Sequence, residues 1–271
     1  MRGRLLAVAL LGVAACGSQQ HSLTLATTTS VANSGLLDAI LPVYEQETRI
    51  SVRSHLVGSG RALALLAADQ ADVAITHAPT AEEAALREHP TWRYTKFMFN
   101  DFVIAGPSSD PARIREARGA VAAIQKIVAA GVRFISRGDG SGTHERELAL
   151  WKQAGGAPHG TLLVAAGAGM GATLRIASEM GAYTLTDRAT FLQQKSSLVI
   201  LFEKDPLLIN SYAVTFDAAR ESAGQAERFA SWLSDGAGRR LVDQFRVGSE
   251  RAVAFMPWPP GRSRSRPSDL P

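Results

Sequence analysis

The stretch Arg133-Phe134-Ile135-Ser136-Arg137-Gly138-Asp139-Gly140-Ser141-Gly142-Thr143-His144-Glu145 reads as a strand, a glycine-rich loop and the start of a helix. The first N–H groups of a helix have no partner within it, and the macrodipole adds partial positive charge there, so such a junction is an anion cradle. Gly138, Gly140 and Gly142 let the backbone turn its amides inward and approach a ligand closely. Ser141 and Thr143 supply hydroxyl donors, and Arg137 supplies a planar fork suited to paired oxygens. Position 144 is histidine rather than Glu or Gln, so a capping box does not account for Ser141. The plainer reading is a Ser/Thr-capped helix after a tight turn.

Outward from this stretch, short β-like runs alternate with helical patterns from residue 22 to 216, which predicts an α/β fold with mostly parallel pairing. Strands are expected at 22–28, 50–57, 71–77, 94–106, 162–166, 182–187, 198–203 and 208–216. Helical periodicity covers 61–68, 80–89, 113–130, 172–180, 188–195 and 222–245, and Leu37, Ile40, Leu41 and Tyr44 mark one face of another helix. The long runs 94–106 and 208–216 flank the middle third. A chain that leaves one lobe along the first and returns along the second makes two lobes joined by a two-stranded hinge. Lobe I is then 22–103 plus 211–260, lobe II is 104–210, and the Pro/Ser/Arg-rich segment 261–271 is expected to be a disordered tail.

Three more loops share the composition of the central one. Thr27-Thr28-Thr29-Ser30 follows the first strand, Val57-Gly58-Ser59-Gly60 the second, and Gly167-Ala168-Gly169-Met170-Gly171-Ala172 a later one. Crevices at strand C-termini are where open α/β sheets bind ligands, so these loops are expected to converge on one cleft. Other chemistries fit less well. Gly167-x-Gly169-x-x-Ala172 with Asp187 beyond it matches a dinucleotide fingerprint, but the motif is short and lies mid-chain. Ser141, His144 and Asp139 can be drawn as a hydrolase triad, yet they lie within six residues of one another, poorly placed for in-line proton transfer. His55, His77, His89, His144 and His159 are scattered and read as structural.

The start of the chain has basic Arg2 and Arg4 and an apolar run from 5 to 15, too short to span a bilayer. It reads as a signal peptide over 1–15. Val13-Ala14-Ala15-Cys16-Gly17 resembles a bacterial lipoprotein signal, which implies a lipidated Cys16 as the mature N-terminus outside the cytoplasm. Cys16 is the only cysteine, so no internal disulfide is possible. The net charge of +4 is carried partly by this leader and by the tail, with no basic face interleaved with aromatics, so nucleic acid is not an expected partner.

Leu25-Ala26-Thr27-Thr28-Thr29-Ser30, Val57-Gly58-Ser59-Gly60, Asn100-Asp101-Phe102-Val103-Ile104, Ser136 to His144, Gly169-Met170-Gly171 and Ala182 to Arg188 recur in one order. In that order they resemble the tungstate-binding components of ABC-type importers, a branch of the periplasmic solute-binding proteins. The resemblance covers about 22–257 and implies a two-lobed protein that closes over a tetrahedral oxyanion, tungstate or molybdate, and delivers it to a permease. It implies that Thr28, Thr29, Ser30, Ser59, Arg137, Ser141, Gly142 and Thr143 line the site, with Gly169, Met170 and Gly171 as weaker candidates. No cofactor or metal is expected, no enzymatic activity, and a monomer. The chain departs from the family pattern at Ser59, Arg49, Ala189 and the segment 162–166, the last of which bears on the Gly167 loop.

Phosphate binders of the same superfamily share the Arg-x-Asp-Gly-Ser-Gly-Thr pattern and are the competing reading. Phosphate keeps a proton at neutral pH and needs an acceptor for it, whereas tungstate needs donors only. Phosphate binders carry an aspartate in the loop that here reads Thr76-His77-Ala78-Pro79. Replacing Cys16 with serine is expected to move the protein from the membrane fraction to the soluble one, since stable anchoring needs the acyl chains. Unchanged membrane association of C16S, read by fractionation, would overturn the lipid anchor.

Overall fold

The computed structural model describes residues 22–248, 251–261 and 266–270. The segment 1–15, expected to be a signal peptide, and Cys16 lie outside the described residues.

The first strand, β1 (Ser22–Thr28), is covered on both faces. Leu23 and Leu25 enter the largest core, and Ala26 enters a second one with Ala62 and Leu66. A strand buried on both sides suits the interior of a sheet with parallel neighbours. The chain continues through α1 (Thr29–Asn33), α2 (Leu36–Thr48), β2 (Ser51–Val57), α3 (Ser59–Ala67), β3 (Val73–Thr76), α4 (Pro79–Glu88) and the long β4 (Trp92–Gly106). The middle third holds α5 (Ala120–Ala129), β5 (Phe134–Ser136), α6 (Gly142–Ala154), β6 (Leu163–Ala165), α7 (Met170–Met180), β7 (Tyr183–Asp187), α8 (Arg188–Gln193) and β8 (Val199–Phe202). It ends in β9 (Ile209–Asp217), after which come α9 (Ala223–Ser234), α10 (Ala237–Gln244) and the short β10 (Arg246–Val247), β11 (Ala252–Val253) and β12 (Met256–Pro257).

Two parallel trios are joined by long antiparallel strands. β1 lies between β2 and β3, and β5 lies between β6 and β7, all parallel within each trio. β9 pairs antiparallel with β3 on one side and with β4 on the other, from Trp92↔Asp217 to Asp101↔Ile209. From Phe102 onward β4 leaves β9 and pairs antiparallel with β7 and β8. Its side chains change core at the same place: Phe97 and Met98 pack with Leu23, Tyr212 and Phe255, whereas Phe102 and Ile104 pack with Phe134, Trp151 and Tyr183. No helix among the described residues is long and apolar enough to cross a membrane.

The structure corrects two features read from periodicity and one read from composition. The helical pattern 113–130 is a 3-10 turn (Ile114–Glu116) followed by α5. Asp110 accepts from Ile114 and Arg115 N–H at 3.1 and 3.0 Å, and Asp205 separately accepts from Ala120 N–H at 2.9 Å, so each piece has its own carboxylate at its start. The pattern 222–245 is likewise two helices, divided beside Trp232. The segment expected to be a disordered tail has defined contacts at 266–270: Lys96 Nζ donates to the carbonyl oxygens of Pro267 and Asp269 at 3.0 and 2.5 Å.

The division at Trp232 makes a specific demand on α10. A first side-chain carbon at Gly238 would stand 2.5 Å from the Trp232 ring, which is held by Tyr44 edge-on at 5.2 Å and by its N–H donated to Glu47 at 2.7 Å. The ring cannot move aside cheaply, so Gly238→Ala is expected to destabilise the protein by about 1–3 kcal/mol, as over-packing does. Urea titration showing wild-type stability would contradict this.

Candidate oxyanion-binding site

Strand register gathers the candidate loops. Thr28 is level with Val57 across β1 and β2, so the loops leaving these two strands start side by side. Ser136 is level with Ala165 across β5 and β6, which sets Arg137 beside residues 166–168. There Gly167 N–H donates to the Arg137 carbonyl at 3.0 Å and Ala166 N–H to that of Ser136 at 2.9 Å. The two pairs of loops then meet across the cleft. A carbon added at Gly58 would lie 3.9 Å from Ser141 Cα, and one at Gly169 would lie 3.8 Å from Thr29 Oγ1. Four helix starts, those of α1, α3, α6 and α7, therefore face one region. Only Ser141 makes a side-chain cap, accepting from His144 N–H; Thr28, Gly58 and Gly169 make none. The first-turn amides of α1, α3 and α7 are left without side-chain acceptors, which is the electrostatic signature of an anion site.

His77 was left out of the candidate lining, although its loop is the one in which phosphate binders carry an aspartate. It is buried at the exit of β3, the third strand of the first parallel trio, and its loop reaches the same edge as the Thr28 and Gly58 loops. Its backbone N–H donates to Ser59 Oγ at 3.2 Å, and its ring stacks on Tyr212 at 4.9 Å. Burial, opposed by the bond to Asn210, lowers its pKa to about 4, so the ring is neutral near pH 7. Asn210 Nδ2 donates to Asn100 Oδ1 and to Tyr212 OH, both at 2.8 Å, which leaves Asn210 Oδ1 to accept from His77 Nδ1 at 2.9 Å. His77 Nε2 therefore accepts from Ser30 Oγ at 3.2 Å, and Ser30 in turn accepts from Thr28 Oγ1 at 3.0 Å. The hydroxyls of Thr28 and Ser30 are engaged with each other and with His77, and this loop offers Thr29 and the α1 amides. The topological cue was available in the sequence, because a loop after a third parallel strand must reach this edge. Its composition, without the glycines of the other loops, kept it out of the set expected to converge on the cleft.

The other hydroxyls differ in what they have left to give. Ser59 Oγ accepts from His77 N–H and keeps its proton for another partner, whereas Ser141 Oγ accepts from His144 N–H at 3.3 Å and its hydroxyl also serves the Asp139 carboxylate. Thr143 Oγ1 is buried and has no hydrogen-bond partner among the described residues. Gly142 makes a close approach to His77. Met170 turns its side chain into a core with Ala105, Ile135 and Leu174, so only its backbone belongs to the loop, and Gly171 packs toward Gln194.

Arg137 is 2% exposed, with Nε on the Ala168 carbonyl at 2.9 Å and Nη2 on Asp139 at 2.5 Å. Asp139 also accepts from Ser141 N–H at 3.1 Å. Burial raises its pKa, but the Ser141 and Arg137 donors outweigh this and hold the carboxyl below its usual range. Behind Arg137 stands Glu147, buried, accepting from Ser136 Oγ at 2.5 Å and Arg137 N–H at 3.0 Å, with burial pushing its pKa up to about 8. Arg146, also absent from the sequence-based set, donates to the Ile209 carbonyl at 3.3 Å beside His77. The hydrolase triad does not assemble, because His144 Nδ1 accepts from Gly140 N–H at 3.0 Å and Asp139 bonds Arg137 and Ser141 instead. Asp187 caps α8 by accepting from Thr190 N–H at 2.8 Å. No cluster of three or more His, Cys, Asp or Glu side chains suited to a metal occurs among the described residues.

A PBP (periplasmic-binding-protein) superfamily domain matches residues 14–236, and the chain belongs to this superfamily of solute-binding proteins. The tungstate-binding protein TupA of Peptoclostridium acidaminophilum is 37% identical over 270 residues, covering 93% of this chain and 94% of that one. Among solved structures, the tungstate ABC transporter protein of Geobacter sulfurreducens is 38% identical with a TM-score of 0.75, covering 83% of this chain and 98% of its own. TupA of Desulfovibrio alaskensis G20 is 35% identical, again with a TM-score of 0.75, over 88% of this chain and 99% of that one.

The pKa of Glu147 gives a test of the support behind Arg137. An acid whose folded pKa is raised keeps a proton that the unfolded chain has released, so its contribution to stability is present below pH 4.5 and is lost as pH rises to about 8. His77, lowered to about 4, acts in the opposite sense, losing stability as pH falls from 6.5 to about 4. Between pH 6.5 and 8 only the Glu147 effect remains of the two. Glu147→Gln, which keeps an acceptor for Arg137 N–H and removes the titrating carboxyl, is expected to flatten the fall in urea-unfolding stability over that range. A slope identical to wild type would remove Glu147 as its source.

Proposed function

We propose that this protein is an extracytoplasmic solute-binding component that captures tungstate, or the similar tetrahedral dianion molybdate, and passes it to an ABC permease. It closes between two lobes, 22–103 plus 211–260 and 104–210, that hinge where β4 exchanges β9 for β7. Thr28, Thr29, Ser30, Ser59, Arg137, Ser141, Gly142 and Thr143 form the lining, with Gly169, Met170 and Gly171 contributing backbone, and the mature chain is held to the membrane through Cys16. The names of the relatives support the ligand class. The observation that carries the reading is the convergence of donors: the starts of α1, α3 and α7 have no side-chain cap, Thr143 Oγ1 is buried and unpartnered, and each oxygen of Asp139 and Glu147 beside Arg137 already accepts a hydrogen bond. A fully deprotonated oxyanion satisfies such groups. Hydrogen phosphate would turn its own proton toward donors and lose a bond worth about 1–3 kcal/mol.

One observation favours phosphate as a second reading. Both oxygens of Asp139 and of Glu147 are occupied, but Asp187 Oδ2 is buried with no hydrogen-bond partner among the described residues, close enough to Arg137 to feel its charge. A thermal-shift panel of tungstate, molybdate, sulfate and phosphate on the mature protein separates the two. A ligand at 100 times its dissociation constant adds about 2.7 kcal/mol of stability. Tungstate is expected to shift the wild type and Asp187→Asn alike. A shift with phosphate but not tungstate, abolished by D187N, would replace this reading with the second.

A further inference from the structure

Beside the oxyanion site lies a separate cavity of about 340 Å³. The start of α4, one face of α6, the two hinge strands and residues 267–270 each supply a wall. Its volume falls in the range of small-molecule sites, roughly 300–1,000 Å³. Of the lining proposed for the oxyanion only Gly142 is shared, so this is a different place with a different chemistry. Phe102, Leu207 and Ile209 make much of the wall apolar, and the charged side chains that reach it are Arg146, Glu145 and Asp269. A guanidinium carries five N–H donors. Arg146 spends one on the Ile209 carbonyl at 3.3 Å and makes no ion pair among the described residues. Burial lowers its pKa, and the nearby charge of Glu145 opposes that shift. Glu145 itself is held by its other neighbour: its Oε1 accepts from Thr80 N–H at 2.9 Å, across the seam between α4 and α6. The carboxylate is thereby fixed in position, with its second oxygen left for another donor. Asp269 is similarly committed through one oxygen, which accepts from Arg266 N–H at 2.8 Å.

The balance of charge decides the class of ligand. One guanidinium against two carboxylates leaves the lining with an excess of negative charge, which disfavours a bare anion. An inorganic oxyanion would also face apolar walls that offer it no hydrogen bonds. A molecule with a carboxylate for Arg146, an ammonium for the two acids and an apolar body for Phe102 and Leu207 meets every demand of the lining. In an α-amino acid the two charged groups sit on one carbon. Arg146 and Glu145 are consecutive on α6 and already interact through their charges, so one small ligand reaches both. We propose that this cavity is a second ligand site, one that takes a free α-amino acid with an apolar side chain. The carboxylate pairs with the Arg146 fork, the ammonium donates to Glu145 and Asp269, and the side chain lies against the apolar wall.

Isothermal titration calorimetry of the mature protein tests this with L-leucine, L-methionine and L-phenylalanine. Each is compared with the matching acid that lacks the ammonium and the matching amine that lacks the carboxylate. At least one amino acid is expected to bind in titrations up to about 10 mM, which detect millimolar dissociation constants. Its two fragments are expected to bind about tenfold or more weakly, the effect of one lost charge-assisted contact. Arg146→Met keeps the length of the side chain and removes the fork, while Glu145→Gln keeps an acceptor for Thr80 and removes the charge. Each is expected to weaken the amino acid by a similar factor, and where one variant fails to fold by circular dichroism the other decides. Unchanged binding in a folded variant places the amino acid elsewhere and overturns the site. An acid fragment that binds as tightly as its parent overturns the ligand class. No heat with any of the three amino acids overturns both. Tungstate takes no part in these titrations, so their outcome is independent of the oxyanion reading.

Discussion

Where α6 begins, its backbone lies directly against His77: a first side-chain carbon at position 142 would stand 2.4 Å from the His77 carbonyl oxygen and 2.8 Å from Nδ1. Only glycine permits that approach. The contact ties the second parallel trio to the first, because α6 grows from β5 and His77 ends β3. It also helps to bury the imidazole, which lowers its proton affinity and keeps it neutral. Neutrality in turn fixes the hydrogen-bond order, with Asn210 accepting at one ring nitrogen and Ser30 donating at the other. A charged imidazole would have no acceptor for Ser30, and the Thr28–Ser30 loop would lose its support. Packing, protonation and the orientation of three loops therefore follow from one close approach.

The electrostatics of the cleft are arranged around dipoles more than around net charge. Arg137 faces the region already paired with Asp139, so the two side chains together carry no net charge. What remains is the positive end of several helices and a small set of O–H groups. Such a field rewards an anion only at the point where the helix starts converge, and rewards a full set of acceptor oxygens more than a single charge. Glu147 supports this arrangement from behind by holding the backbone of Arg137 and the hydroxyl of Ser136.

Most strands and the glycine- and hydroxyl-rich loops that meet at the cleft were legible in the sequence, for reasons that differ by element. The fully apolar or alternating runs around β1, β4 and β9 have few alternatives, and glycine-hydroxyl loops after strands are locally distinctive. The helical patterns 113–130 and 222–245 were over-read because apolar periodicity continues through breaks set by tertiary contacts: the carboxylates of Asp110 and Asp205 in one case, the Trp232 ring in the other. Arg146 was not legible as a site neighbour, and neither was the hydrogen-bond role of His77, since both depend on which strand edges align and on burial by distant residues. The final residues were misjudged because composition reports solvation preference, and a short polar segment can still be held by two backbone carbonyls. Engagement of the Ser30 hydroxyl by a histidine 47 positions away likewise has no local signature.

The placement of β9 carries a consequence for how the chain is made. β3 has β1 on one side and β9 on the other, so the first trio keeps an unpaired edge until residues 209–217 have been synthesised. The middle of the chain has no such debt: β5, β6, β7 and β8 come from one continuous segment and find their partners among themselves and in β4, which precedes them. Contacts distant in sequence form late because the loop they close is costly in entropy. The half that begins the polypeptide is thus the later of the two to mature, and until then its open edge, flanked by apolar Val73 and Ile75, is the surface from which a holding chaperone would have most to protect.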